Sequence, residues 1–153
     1  MKIELKNVKH AAFASQETEC FSATVFLDGV RTGTVENDGH GGCNMYHPWA
    51  MSETINDYAK TLPMIKFEGE TLPQDADMLI GDVLNESISR KTLRRLMKNR
   101  ILFTRGGKIY QTNTYADVAL RIRAADVLTK LKAELILNLL PESEALKIYM
   151  ENT

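Results

Sequence analysis

Between Arg90 and Lys108 the chain carries eight Lys/Arg and no acidic residue. On a helical wheel at 100° per residue, Arg90, Lys91, Arg94, Arg95 and Lys98 span about 140° of arc. Leu93, Leu96 and Met97 fall on the other side, with Thr92 at the margin. The like-charge i,i+4 pairs Arg90/Arg94, Lys91/Arg95 and Arg94/Lys98 each cost roughly 0.2–0.5 kcal/mol in an isolated helix. Cations in its first turn also oppose the helix dipole. With no acidic neighbour inside the segment, an external anion or the acidic stretch 75–86 must offset a penalty on the order of 1 kcal/mol. Arg105 and Lys108 then flank Gly106-Gly107, with Phe103 and Tyr110 placed to pair across a hairpin. The seven cations Arg90, Lys91, Arg94, Arg95, Lys98, Arg105 and Lys108 are the candidate anion-binding set. Helix, short turn, basic helix and basic-tipped hairpin is the order of a winged helix-turn-helix, in which the second helix enters the major groove and the hairpin touches phosphates.

A second cluster sits at 37–48, Asn-Asp-Gly-His-Gly-Gly-Cys-Asn-Met-Tyr-His-Pro. His40, Cys43 and His47 in the spacing H-x2-C-x3-H could ligate Zn²⁺, with Asp38 as a fourth donor, although no standard finger has this spacing. Cys43 beside His40 or His47 is also a conceivable nucleophile–base pair. The bland reading is a tight turn capped by Asn37 and Asp38, with surface histidines. The candidate contact residues of this loop are Asp38, His40, Cys43, Tyr46 and His47. No G-x4-G-K-[ST] phosphate loop is present, and no cofactor is called for.

The elements that must position these groups read as α+β, in one domain over 1–153. Its first part, 1–48, is β-rich and acidic, and 49–153 is mainly helical, with the basic helix-hairpin at 88–112. Residues 1–8 alternate, 21–27 are β-branched and aromatic, and 30–36 return as a third strand after Asp28-Gly29, the dipeptide favoured in a type I′ turn. Pairing across that turn sets Leu27 opposite Val30 and Val25 opposite Thr32. Residues 49–61 read as a helix, 64–67 as a short strand, and Pro73 and Asp75 open a helix that Ser87–Ser89 breaks before a second one over 90–99. A long helix is expected over 115–139 from the spacing of Leu120, Ala124, Val127, Leu128, Leu131, Leu135 and Leu139. Its distal end is apolar most of the way round. That end predicts a homodimer, unless Leu146, Ile148 and Tyr149 of the tail fold back to cover it.

Composition narrows the function classes. The chain has 153 residues, 44% hydrophobic and 25% charged, values of an ordinary globular protein that exclude a disordered chain or a disulfide scaffold. No apolar run approaches the roughly 20 residues of a membrane span. Two cysteines and an N-terminus without a hydrophobic core segment point to a cytoplasmic setting. The net charge of -1 hides a split. Residues 1–85 carry six Lys/Arg against thirteen Asp/Glu, and residues 86–153 carry thirteen against seven. The halves either neutralise each other or leave the second with an anionic partner.

The run Lys9-His10-Ala11-Ala12-Phe13-Ala14-Ser15, then Glu17-Thr18, Cys20-Phe21, Ala23-Thr24-Val25, Asp28-Gly29 and Asn37 to Gly42 resembles small uncharacterised proteins of bacteriophages and prophages. The resemblance covers about the first 47 residues and brings no known site. It implies an accessory protein that binds and redirects a host component, including components of host immunity. The residues themselves show no carboxylate pair and no Ser/His/Asp set. Together these point to a non-catalytic binding protein that engages a host protein or an anionic ligand, nucleic acid or nucleotide, through residues 90–108. A winged-helix-like DNA-binding regulator and a metal-dependent hydrolase centred on 38–47 are the alternatives.

Overall fold

The computed structural model describes residues 1–123 and 127–153, without the side chains of Val127 and Leu128. It is α+β, as the sequence predicts, and divides into two compact units, Met1–Ser87 and Ile88–Thr153. The change of character expected at residue 48 falls inside the first unit. Charge divides with the units: six Lys/Arg against fourteen Asp/Glu in the first give -8, and thirteen against six in the second give +7. Among the described residues no helix is long and apolar enough to cross a membrane.

The first unit is built on an antiparallel sheet of β1 (Ile3–His10), β2 (Cys20–Leu27), β3 (Val30–Asp38) and β4 (Met45–His47), in that order. β2 alternates without a fault, Phe21, Ala23, Val25 and Leu27 being buried and their neighbours half-buried. The Asp28-Gly29 turn has positive φ at both residues, 50° and 82°, the twist that suits a hairpin. Leu27 pairs with Val30 and Phe26 with Arg31, but Val25 pairs with Gly33 and not with the expected Thr32. The physical reason is the face each residue must take. Without that one-residue bulge, Glu36 would stand opposite Phe21 on the buried side and Val35 would point away from it. With it, Val35 pairs Ala23 and Asn37 pairs Phe21, and both Val35 and Asn37 are buried.

Helix α1 (Trp49–Ala59) buries Met51, Ser52, Ile55 and Ala59. A small hairpin of β5 (Ile65–Phe67) and β6 (Glu70–Leu72) follows, its second strand unexpected from sequence. Helix α2 (Ala76–Met97) is one continuous helix. The expected break at Ser87–Ser89 does not occur, since a serine in mid-helix costs only about half a kcal/mol relative to alanine. The helix-turn-helix order is therefore absent. Its first turn is held by Asp75, which accepts from the Met78 amide at 2.8 Å, and by Asn56, which accepts from the Ala76 amide at 2.7 Å.

In the second unit β7 (Leu102–Arg105), β8 (Lys108–Gln111) and β9 (Leu135–Ile136) form a sheet ordered β8-β7-β9. The Gly106-Gly107 hairpin and the Phe103–Tyr110 pair are as expected, the two rings stacked with centroids 5.8 Å apart. The long helix over 115–139 is not. The stretch holds α3 (Val118–Ile122), α4 (Val127–Leu131), β9 and a 3-10 turn at Leu137–Leu139. Ala124 of the expected repeat lies outside the described residues. A two-stranded hairpin alone is marginal in water, and Glu134 to Ile136 supply it with a third strand. The Glu134 amide donates to the Thr104 carbonyl at 2.9 Å, and Phe103 pairs with Ile136. Successive apolar residues then enter opposite clusters, as strand geometry requires. Ile136 joins Ile101 and Phe103, whereas Leu137 joins Leu93, Leu102, Ala145 and Leu146. The C-terminal helix is α5 (Glu142–Glu151), and its Leu146, Ile148 and Tyr149 pack in the cluster of Leu137. Of the apolar tract that predicted a homodimer, Leu137 and Leu140 pack with Leu146, Ile148 and Tyr149 of the tail, Ile136 packs with Ile101 and Phe103, and Leu139 stays exposed.

Candidate anion-binding face

The basic segment of α2 is divided by one carboxylate. Glu142, in the first turn of α5, accepts from Arg94 Nε at 2.6 Å and Nη2 at 2.8 Å, and from Arg90 Nη1 at 2.7 Å. Hydrogen bonds from Arg94 and then from Arg90 hold the Glu142 carboxyl down to about 2, and the same bond raises the Arg94 pKa. For these two arginines, offsetting charge comes from a residue 48 positions beyond Arg94. No local pattern marks Glu142 as that partner. Its only sequence signature is that of an acidic residue after Pro141 at a helix start.

On the same helix Lys91, Arg95 and Lys98 are exposed. Their spacing of i, i+4, i+7 puts all three within about 60° of arc and about 10 Å of helix length. They form a stripe beside the arginines that Glu142 holds.

The hairpin tip is also served by a carboxylate of the chain. Glu134 Oε1 accepts from the Gly106 amide at 2.9 Å. Arg105 lies over the Tyr110 ring, 4.5 Å from its centroid, and reaches the Leu131 carbonyl at 3.4 Å. Lys108 is exposed. Of the seven candidate cations, Arg90, Arg94 and Arg105 thus have structural roles, and Lys91, Arg95, Lys98 and Lys108 present their charge to solvent.

Nearby, Asn138 ties three strands of chain together. It accepts from the Leu102 amide at 2.8 Å and donates to the carbonyls of Arg100 at 2.8 Å and Met97 at 3.3 Å. Sequence reading missed it, because an Asn inside an apparent leucine repeat looks like a solvated helix position.

The glycine-rich loop of the first unit is organised from inside. Asn37, buried, accepts from Thr18 Oγ1 at 2.6 Å and from the Gly39 amide at 2.9 Å, and donates to the Gly42 carbonyl and to Asn44. The Gly39 carbonyl accepts from the amides of Gln16, Glu17 and Thr18. Gly39 has φ of 87°, and a Cβ there would stand 2.3 Å from the Ala14 carbonyl oxygen, so only glycine fits. Asp38 accepts from the His40 amide at 3.0 Å, and His40 Nδ1 lies 3.3 Å from Gln16. Cys43 is exposed, and His47 faces Glu36 at 3.9 Å. Tyr46 is buried, not a contact residue. Its hydroxyl donates to Asp77 at 2.6 Å, and burial first, then that bond, raises its pKa. Among the described residues no three His, Cys, Asp or Glu side chains gather where they could hold a metal ion. His40, Cys43 and His47 are therefore not brought together as ligands. Cys43 likewise has no hydrogen bond to either histidine among the described contacts.

No protein-family model, no curated protein and no solved structure matches this chain.

Proposed function

We propose that the protein is a non-catalytic binding protein that engages nucleic-acid phosphates through α2. The observation that carries this reading is the exposed stripe Lys91, Arg95 and Lys98, set beside two arginines that share the carboxylate of Glu142. A helix that keeps like charges at i,i+4 loses stability by doing so, and a polyanion laid along the stripe reverses the sign of that term. Three cations along about 10 Å of helix suit a row of phosphates better than a single small anion. The +7 charge of residues 88–153 adds long-range attraction for the same partner. The resemblance of the N-terminal residues to phage and prophage proteins supports a setting in a host cytoplasm, where an accessory protein of this kind blocks or redirects a host complex.

The test is fluorescence anisotropy with labelled DNA and RNA oligonucleotides across a salt series. Three phosphate contacts give a slope of log K against log salt of about -2.7 on duplex and about -2.1 on single strands. The triple substitution K91E/R95E/K98E should abolish binding, with circular dichroism to confirm that α2 stays folded. An absence of affinity for any of these oligonucleotides at low salt would sink the reading.

A further inference from the structure

A cleft of about 550 Å³ opens beside Lys98, lined among others by Met97, Val118, Ile122, Arg123 and Leu139. We infer that this cleft receives one unstacked base of a single-stranded nucleic acid whose phosphates run along the α2 stripe. The inference rests on the nucleic-acid reading above and narrows it to single strands.

The volume lies within the range of roughly 300–1,000 Å³ typical of small-ligand sites, and one nucleotide is a ligand of that size. Lys98 belongs to both features, as the last cation of the stripe and as a wall of the cleft. A strand that follows Lys91 and Arg95 therefore arrives at the cleft mouth. Two other polar groups in the wall are already used. Asp117 accepts from the Leu120 amide at 2.8 Å as the cap of α3, and the Asn138 amide makes the three backbone bonds described above. The cations Lys98 and Arg123 are the side-chain charges left to meet a ligand, and Asp117 lowers the local charge without reversing it. Leu139 remains 64% exposed, an apolar wall facing water. An occupant must combine a flat apolar-faced body with negative charge on its flanks. A base between two phosphates has that pattern, whereas duplex DNA keeps its bases stacked and offers the cleft nothing.

The experiment compares three labelled probes on the full chain: oligothymidine, an abasic strand of equal length, and a duplex. Oligothymidine should bind at least about fivefold tighter than the abasic strand. Ala119→Trp, which fills the cleft from an exposed lining position, should bring the two to equal affinity without weakening the abasic complex. Arg123→Ala should reduce the same difference, and a fluorescent base analogue in the strand should brighten on binding as it leaves its stack. Equal affinity for oligothymidine and the abasic strand, with both lost in K91E/R95E/K98E, overturns the cleft and leaves the stripe standing. Tighter binding of duplex than of single strand also overturns it. Binding of none of the three overturns both readings.

Discussion

Glu142→Gln keeps the shape of the side chain and one acceptor oxygen but removes the charge that holds Arg94. In the folded chain that carboxylate takes two bonds from Arg94 and one from Arg90, so it competes directly with any phosphate approaching this edge of the stripe. Arg94 lies about 40° from Lys98 on the helical wheel and joins the stripe once released. One further phosphate contact steepens the slope of log K against log salt by about 0.9, from about -2.7 to about -3.6 on duplex DNA. Between 1 M and 0.1 M salt, that extra contact multiplies the gain in affinity by roughly eight. Anisotropy titrations of wild type, Glu142→Gln and the double variant with Arg94→Ala measure it, with circular dichroism to confirm that α5 stays folded. The double variant should return to the wild-type slope. A Gln variant that folds but shows an unchanged slope, or weaker binding at low salt, refutes the idea that Glu142 masks an anion site. The same carboxylate predicts a signature in acid. Its folded pKa of about 2 lies below its ordinary value of 4.5, so its contribution is complete above that ordinary value and fades as pH falls toward 2. Wild type should lose that part of its stability in this window, and Glu142→Gln should not.

Two further outcomes test the packing. Asn138→Ala leaves the Leu102 amide and the Arg100 carbonyl without their partner and should cost about 2–4 kcal/mol in denaturant unfolding; a change below about 0.5 kcal/mol would show that the amide does not tie β7 to its neighbours. Tyr46→Phe removes a hydrogen bond to a carboxylate, worth about 1.5–3 kcal/mol. Because the phenol's pKa is raised in the fold, wild type keeps this contribution below pH 10 and loses it as pH climbs further. The Phe variant should lack that alkaline loss, and an identical alkaline profile would show that Tyr46 is not the titrating group.

Legibility followed the range of the interaction. Asp28-Gly29 and Gly106-Gly107 could be read as hairpins because positive φ is a property of the residues themselves. Helix α1, the helix opening at Asp75 and the Phe103–Tyr110 pair were equally readable, each resting on neighbours within a few residues. The cationic stripe was visible for the same reason, since i, i+4, i+7 needs only a helix. The bulge at Thr32 was not, because it answers to which face of the sheet Val35 and Glu36 must take.

Residues 133–140 mark the limit from the other side. Leu135, Ile136, Leu137, Leu139 and Leu140 fit a helical repeat as well as a strand, because a nearly continuous apolar run satisfies both periods. The α+β class, the turn positions and the uneven charge of the chain were determined by the sequence alone, through local backbone preference and composition. Tertiary structure decided that this run pairs with β7, since a hairpin needing a third strand and two apolar clusters on opposite sides of it gain more than a helix would. It also decided that Glu142 takes Arg90 and Arg94 out of the cationic face, a pairing that exists only once α5 has packed against Leu93 and Leu137.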